Sequence, residues 1–166
     1  MTHITQKMAN EFIIHPISPY YNSDSRVLIL GSFPSVKSRE EGFFYGNKQN
    51  RFWRVIATLC LSDTPDTVEE KKAFLRNNSI ALWDVIHSCR INGSSDSSIT
   101  DVTVNDIGGI LSASDIKAIF VNGKKAFELY NKYIYPKIGR LRENPLYLAL
   151  VVYDFRFVFN IIRPDM

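Results

Sequence analysis

Short apolar runs, separated by polar stretches rich in turn-forming residues, set the rhythm of this chain. Residues 27–30, Val-Leu-Ile-Leu, carry no polar side chain and stop at Gly31-Ser32, as a strand buried on both faces does. Residues 79–86, mostly apolar, read as a second buried strand, and residues 116–121 as a third that ends at Asn122-Gly123. Between them, apolar positions recur at helical spacing: Phe52, Val55, Ile56 and Leu59 within residues 51–61, and Ala126, Phe127, Leu129 and Tyr130 within residues 124–133. Residues 65–76 predict a further helix with Thr67 and Glu70 as a capping box, and residues 104–111 a short one despite Gly108-Gly109. Polar loops are expected over residues 34–50 and 88–100. Residues 1–25 predict an irregular lead-in, where His15-Pro16 and Ser18-Pro19 block helix. Strands alternating with helices predict an α/β fold: a three-layer α/β/α domain with a mainly parallel central sheet, spanning residues 1–166 as one unit.

A chain of 166 residues can bury one core without disulfide staples, and 45% hydrophobic with 22% charged residues is a globular composition. The net charge of +3 permits nucleic-acid binding without arguing for it. Cys60 and Cys89 have neither metal-binding nor redox spacing and read as reduced core thiols. No stretch is apolar for long enough to span a membrane and no signal peptide opens the chain, so a cytoplasmic protein without membrane contact is expected.

Open α/β sheets bind ligands beyond the carboxyl ends of their strands, which draws attention to the residues after Leu30. The turn from Gly31 to Ser35 is neither a dinucleotide fingerprint, a Walker loop nor a nucleophile elbow. Ser35 and Ser38 offer hydroxyls to a phosphate and Lys37 offers charge, although each also reads as a solvated loop residue. Asn47 and Asn50 stand beside Phe43, Phe44, Tyr45, Phe52 and Trp53. A carboxamide presents an acceptor and donors together, matching a nucleobase edge, and aromatic faces stack bases. Asn50 equally fits a helix cap, and Phe52 and Trp53 fit the core. Residues 93–98, Gly-Ser-Ser-Asp-Ser-Ser, are a flexible turn or a phosphate grip. Asp84 and Asp96 are the best-placed carboxylates; His87, alone, reads as a hydrogen-bonded bystander. No His/Cys cluster predicts a metal.

Taken together and in order, these segments resemble the uracil-DNA glycosylase superfamily, in particular its hypoxanthine-DNA (deoxyinosine) glycosylase branch. The resemblance rests on Leu28-Ile-Leu-Gly-Ser-Phe-Pro-Ser-Val-Lys-Ser38 and Tyr45-Gly-Asn-Lys-Gln-Asn-Arg-Phe-Trp53. It continues through Ile80-Ala-Leu-Trp-Asp-Val-Ile86, residues 93–98 and Phe120-Val-Asn-Gly123. It implies the three-layer fold and a monofunctional enzyme of base excision repair. Such an enzyme flips a deaminated base, hypoxanthine or uracil, out of DNA and hydrolyses its N-glycosidic bond without metal or cofactor. Most branches place a polar residue two positions after the leading Gly of the first motif; here that position is Phe33, as in this branch. The catalytic polar role then falls on Asn50, with Asn47 in reserve. The base is expected against Gly31, Ser32, Phe33, Tyr45 and Asn122, and DNA phosphates against Ser35, Lys37, Ser38, Ser94, Ser95 and Ser97. DNA is the expected partner, and the protein a monomer.

The resemblance breaks after Asn144-Pro145. The family closes its site with a late loop resembling Leu-Pro-Ser-Thr-Ser-Pro-Ala-Asn, which contacts phosphate and enters the minor groove. Residues 146–162 are instead a long apolar run. Were Tyr147 to Val151 encoded TAC-CTA-GCA-CTA-GT, a reading one base out of frame would give Leu-Pro-Ser-Thr-Ser. The hypothesis is therefore a frameshift near residue 146, which codons unable to yield that loop in another frame would remove. A chain without that loop leaves two alternatives to an active glycosylase. One is a weak or inactive DNA-binding relative; the other is an α/β protein acting on free nucleotides.

Overall fold

A computed structural model describes residues 10–138 and, in backbone alone, residues 150 and 151. The altered tail and its frameshift signature lie otherwise outside the described residues.

The lead-in is not irregular throughout. Residues 11–14 form strand β1 (Glu11–Ile14), which pairs antiparallel with a later strand. After it, β2 (Val27–Gly31) is buried at every position, which is why its sequence shows no alternation. The expected loop over residues 34–50 contains a short helix, α1 (Val36–Glu41), capped by Ser35, whose Oγ accepts the Ser38 N–H at 3.1 Å. Six residues of which only Val36 is apolar show no hydrophobic period, so this helix escapes pattern reading. The helices α2 (Phe52–Leu59) and α3 (Val68–Asn77) follow where expected.

Thr67 and Glu70 do form the capping box. Thr67 Oγ1 accepts the Glu70 N–H at 3.1 Å while Glu70 Oε2 accepts the Thr67 N–H at 3.0 Å. Backbone donors of Thr67 and Asp66 hold the Glu70 carboxyl below its ordinary range. Thr67→Ala is expected to cost about 1 kcal/mol, read as a lower urea midpoint at unchanged slope; an unchanged midpoint would show that the cap adds nothing.

The apolar run over residues 79–86 is two strands. β3 (Ile80–Asp84) runs parallel to β2, with Gly31 in register with Asp84. The chain then changes sheet at Val85 and continues as β4 (Ile86–Ile91) between β1 and β5 (Thr100–Val104), both antiparallel to it. Asn105 holds the junction: its buried Nδ2 donates to the Asp84 carbonyl at 2.9 Å and the Ile86 carbonyl at 3.1 Å. The expected loop over residues 88–100 is therefore shorter: residues 88–91 and Thr100 are strand, and residues 92–99 connect them. His87 and Arg90 face solvent while Ser88 and Cys89 are buried, and the mixture disguised the pattern.

The helix α4 (Ile107–Ala113) starts later than residue 104, where the Asp106 carboxylate caps it through the Gly109 N–H at 3.2 Å. β6 (Ala118–Val121) pairs parallel with β2 on the side away from β3. Past it come α5 (Lys124–Leu129), a π-helical turn (Tyr130–Ile134) and α6 (Tyr135–Ile138). β7 (Leu150–Val151) adds to β6, giving a parallel sheet in the order β3-β2-β6-β7. Val27 and Ile29 pack on one face with α2 and α3, through Trp53, Ile56, Phe74 and Leu75. Leu28 and Leu30 pack on the other with α4 and the α5–α6 run, through Ile110, Ala126 and Tyr130. Three layers result, as expected; the antiparallel sheet is the addition.

Candidate active site

Strands β2, β3 and β6 end together, and a cavity of about 250 Å³ opens beyond their carboxyl ends. Sites for drug-sized ligands run to about 300–1,000 Å³, so this one is in scale with a single heterocycle. At its floor Gly31 leaves room that no other residue would. A Cβ there would stand 2.4 Å from Asp84 Oδ1 and 3.3 Å from Tyr45 Oη. Asp84 and Asn122 join Gly31 at the floor, carried by the ends of β3 and β6.

Tyr45 reaches the floor from the loop after α1 with a φ of 53°, a left-handed conformation costly for a bulky side chain. Its ring stacks on Phe52 at 3.7 Å between centroids, and its hydroxyl accepts the Asn122 Nδ2–H at 3.0 Å; both contacts hold the strained residue. Burial, and then the Asp84 carboxylate, push the phenol far above its ordinary pKa, against a smaller opposing effect of Asn122. Tyr45 thus remains a hydrogen-bond donor at any physiological pH.

Asn47 and Asn50 both line the cavity and both are exposed. Asn47 Oδ1 accepts the Gln49 N–H at 3.0 Å and Asn50 Oδ1 the Phe52 N–H at 2.9 Å. Asn50 is not the N-cap of α2, which is Arg51 and makes no side-chain cap bond. The Asn50 oxygen instead closes an Asx turn onto the Phe52 N–H, and no hydrogen bond engages its amide protons among the described residues. Donation to a departing base fits this arrangement better than acceptance from water.

Phe33, only 8% exposed, lines the wall and packs beneath the antiparallel sheet with Ile86, Cys89 and Ile91. The Arg39 guanidinium lies 5.9 Å from its ring centroid and donates to the Pro34 carbonyl at 3.2 Å and the Gly93 carbonyl at 3.3 Å. Ser94 Oγ accepts the Val36 N–H at 2.9 Å, and Ser32 Oγ donates to Asp96 Oδ1 at 2.8 Å. These bonds clip the two loops into one rim.

Of the residues expected to hold phosphate, Ser35, Ser38 and Ser94 line the cavity. Ser38 is buried and accepts the Gly46 N–H at 3.0 Å, a bracing role. Lys37 stands outside the cavity lining and pairs with Glu40 at 2.9 Å. Ser95 and Ser97 bond each other at 2.9 Å and are also outside it. The expected base contacts Gly31, Ser32, Phe33, Tyr45 and Asn122 all line it, as do Asp84 and Asp96. His87 is exposed, off the cavity, and bonded to Asn105 at 3.2 Å. Burial raises the Cys89 thiol above its ordinary range, as for an inert core cysteine. Among the described residues no group of three His, Cys, Asp or Glu is placed to hold a metal ion, and no helix is long and apolar enough to cross a membrane.

His15 was not legible in the sequence. Its Nε2 lies 2.7 Å from Asp84 Oδ2, with the two side chains 2% and 7% exposed, and its ring meets Phe33 edge-on at 5.6 Å. A lone histidine before a proline, 69 residues from its partner, carries no periodic or motif signal.

The pattern that defines the uracil DNA glycosylase superfamily matches residues 18–160. A hypoxanthine DNA glycosylase of Methanosarcina acetivorans is 38% identical over 109 residues, which are 64% of this chain and 69% of that protein. A second, from Methanosarcina barkeri, is 30% identical over 112 residues, covering 66% and 71%. The solution NMR structure of a candidate uracil DNA glycosylase from Methanosarcina acetivorans superposes with a TM-score of 0.69 at 31% identity, covering 84% of this chain and 83% of that one.

Proposed function

We propose how catalysis proceeds in this chain, which belongs to the uracil DNA glycosylase superfamily and is a DNA glycosylase of base excision repair. Hypoxanthine is the target base and uracil the second candidate, in keeping with the relatives' names. The observation that carries the reading is the convergence of the motif residues on one cavity beyond the strand ends, with donors and aromatic walls aimed into it.

The target nucleotide leaves the stack at a cost of a few kcal/mol, less where its pairing is already poor. The base enters the cavity between Phe33 and Tyr45. Breaking the N-glycosidic bond leaves an anionic base beside an oxocarbenium-like sugar, and water completes the hydrolysis at the anomeric carbon. The Asn50 amide, fixed by its bond to Phe52, donates to the base as its charge develops. Pre-aimed donors stabilise that charge better than mobile water. Asn47, at the same rim, is the reserve donor. No lysine lines the cavity among the described residues, so the reading is hydrolysis without Schiff-base strand cleavage. Ser35 and Ser94 hold flanking phosphates, with Lys37 adding charge from outside. The protein acts as a monomer in the cytoplasm.

Binding to DNA should therefore weaken as salt rises. Lys37→Ala should lower affinity equally for all sequences and reduce the salt slope by about one. Fluorescence anisotropy on labelled duplexes at several salt concentrations measures both. Binding insensitive to salt and to DNA length would instead favour a free-nucleotide ligand.

A further inference from the structure

We infer that Tyr45 and Asp84 form a donor–acceptor pair that reads the lactam edge of the target base, and that His15 is the positioning residue that locks the acceptor in place. The inference rests on the base-excision reading above and supplies its basis of discrimination.

The lock is built from the backbone outward. His15 Nδ1 accepts the Ile17 N–H at 3.2 Å, so the ring proton resides on Nε2 and is donated to Asp84 Oδ2. One carboxylate oxygen is thereby occupied by His15. The other, Oδ1, lies over Gly31, and among the described residues no hydrogen bond reaches it. Tyr45 Oη is its neighbour across the same glycine, and the two are not bonded to each other. Because that hydroxyl already accepts from Asn122, its own proton is free to be donated. The floor therefore offers an O–H donor beside a carboxylate acceptor.

A lactam presents the complement, a carbonyl oxygen beside a ring N–H. Hypoxanthine, xanthine and uracil carry it. Adenine and cytosine present the reverse, an amino donor beside a bare ring nitrogen, and mismatch at both points. Deamination converts the second pattern into the first, so this pair admits the damaged base and rejects its parent. Guanine and thymine also carry lactams, and their exclusion belongs to the shape of the cavity. His15 precedes the segment matched by the superfamily pattern, which starts at residue 18.

The test measures single-turnover release of hypoxanthine and of adenine from matched oligonucleotides. In Asp84→Asn, His15 still demands an oxygen, so the NH₂ group turns to the cavity and opposes the lactam N–H. Hypoxanthine release should fall roughly 10²-fold or more, while affinity for an abasic-site duplex and the melting temperature stay near wild type. Adding His15→Phe to Asp84→Asn frees the amide to present its oxygen, and release should recover about tenfold; a merely structural His15 predicts a further loss. Tyr45→Phe, which keeps the stack on Phe52, provides an independent arm and should lower the hypoxanthine-to-adenine ratio about tenfold. An unchanged ratio in Tyr45→Phe, or no rescue by His15→Phe, overturns the inference while wild type still releases hypoxanthine. Wild type releasing no base at all overturns the underlying reading and this inference with it.

Discussion

Asn50→Ala is expected to slow hypoxanthine release by roughly 10²-fold, the scale of losing one pre-aimed donor to a developing anion. Two effects are mixed in that substitution, because Asn50 Oδ1 also accepts the Phe52 N–H at 2.9 Å at the start of α2. Loss of that one side-chain-to-backbone bond costs about 1 kcal/mol of stability, too little to unfold a domain with this core. Asn50→Asp separates the two: a carboxylate keeps the acceptor for Phe52 but donates nothing to the base. The expected result is a slow enzyme with near wild-type melting for Asp, and a slow enzyme with slightly lower melting for Ala. Single-turnover kinetics on a deoxyinosine oligonucleotide provide the rate. Release by Asn50→Asp at the wild-type rate would remove the amide protons from the mechanism.

Gly31→Ala should be at least as damaging, by a different route. The added methyl would stand 2.4 Å from Asp84 Oδ1, closer than any real contact, and 3.3 Å from Tyr45 Oη. Gly31 ends a fully buried strand in register with Asp84, and its carbonyl accepts the Val85 N–H at 2.8 Å, so the backbone has little room to retreat. The displaced group must be the Asp84 side chain, itself held by His15. Overpacking of this kind costs about 1–3 kcal/mol. It also fills the floor on which the base must rest, so release should fall below detection while abasic-site binding persists. A variant with wild-type release would show that the base never approaches Gly31.

How much of this could be seen in the chain depends on which features leave a local trace. The β2 run, the capping box of Thr67 and Glu70, and the helical period from Phe52 to Leu59 each declare themselves within a few residues. The antiparallel sheet does not. β1 leaves Phe12 and Ile14 exposed, β4 mixes buried Ser88 with exposed Arg90, and β5 is largely exposed, so none shows the alternation of a half-buried strand. In the site the division is similar. Residues within motifs, such as Phe33, Tyr45, Asn50 and Asn122, were legible and converge on the cavity. Lys37, Ser95 and Ser97 stand outside the cavity lining, Lys37 paired with Glu40 and the two serines with each other, contacts that spacing cannot reveal. His15 acts only through a contact between distant segments, and single-sequence reading has no access to such contacts.

We propose one central act for this protein: removal of a deaminated base held in the cavity beyond β2, β3 and β6. Oligonucleotides bearing a single hypoxanthine, uracil, xanthine or unmodified adenine, incubated with the full chain and treated with alkali, measure it on one gel. Cleavage after alkali at hypoxanthine, none at adenine, and none anywhere before alkali is the predicted result. Intact hypoxanthine strands, from a folded protein that still binds the duplex, would contradict it.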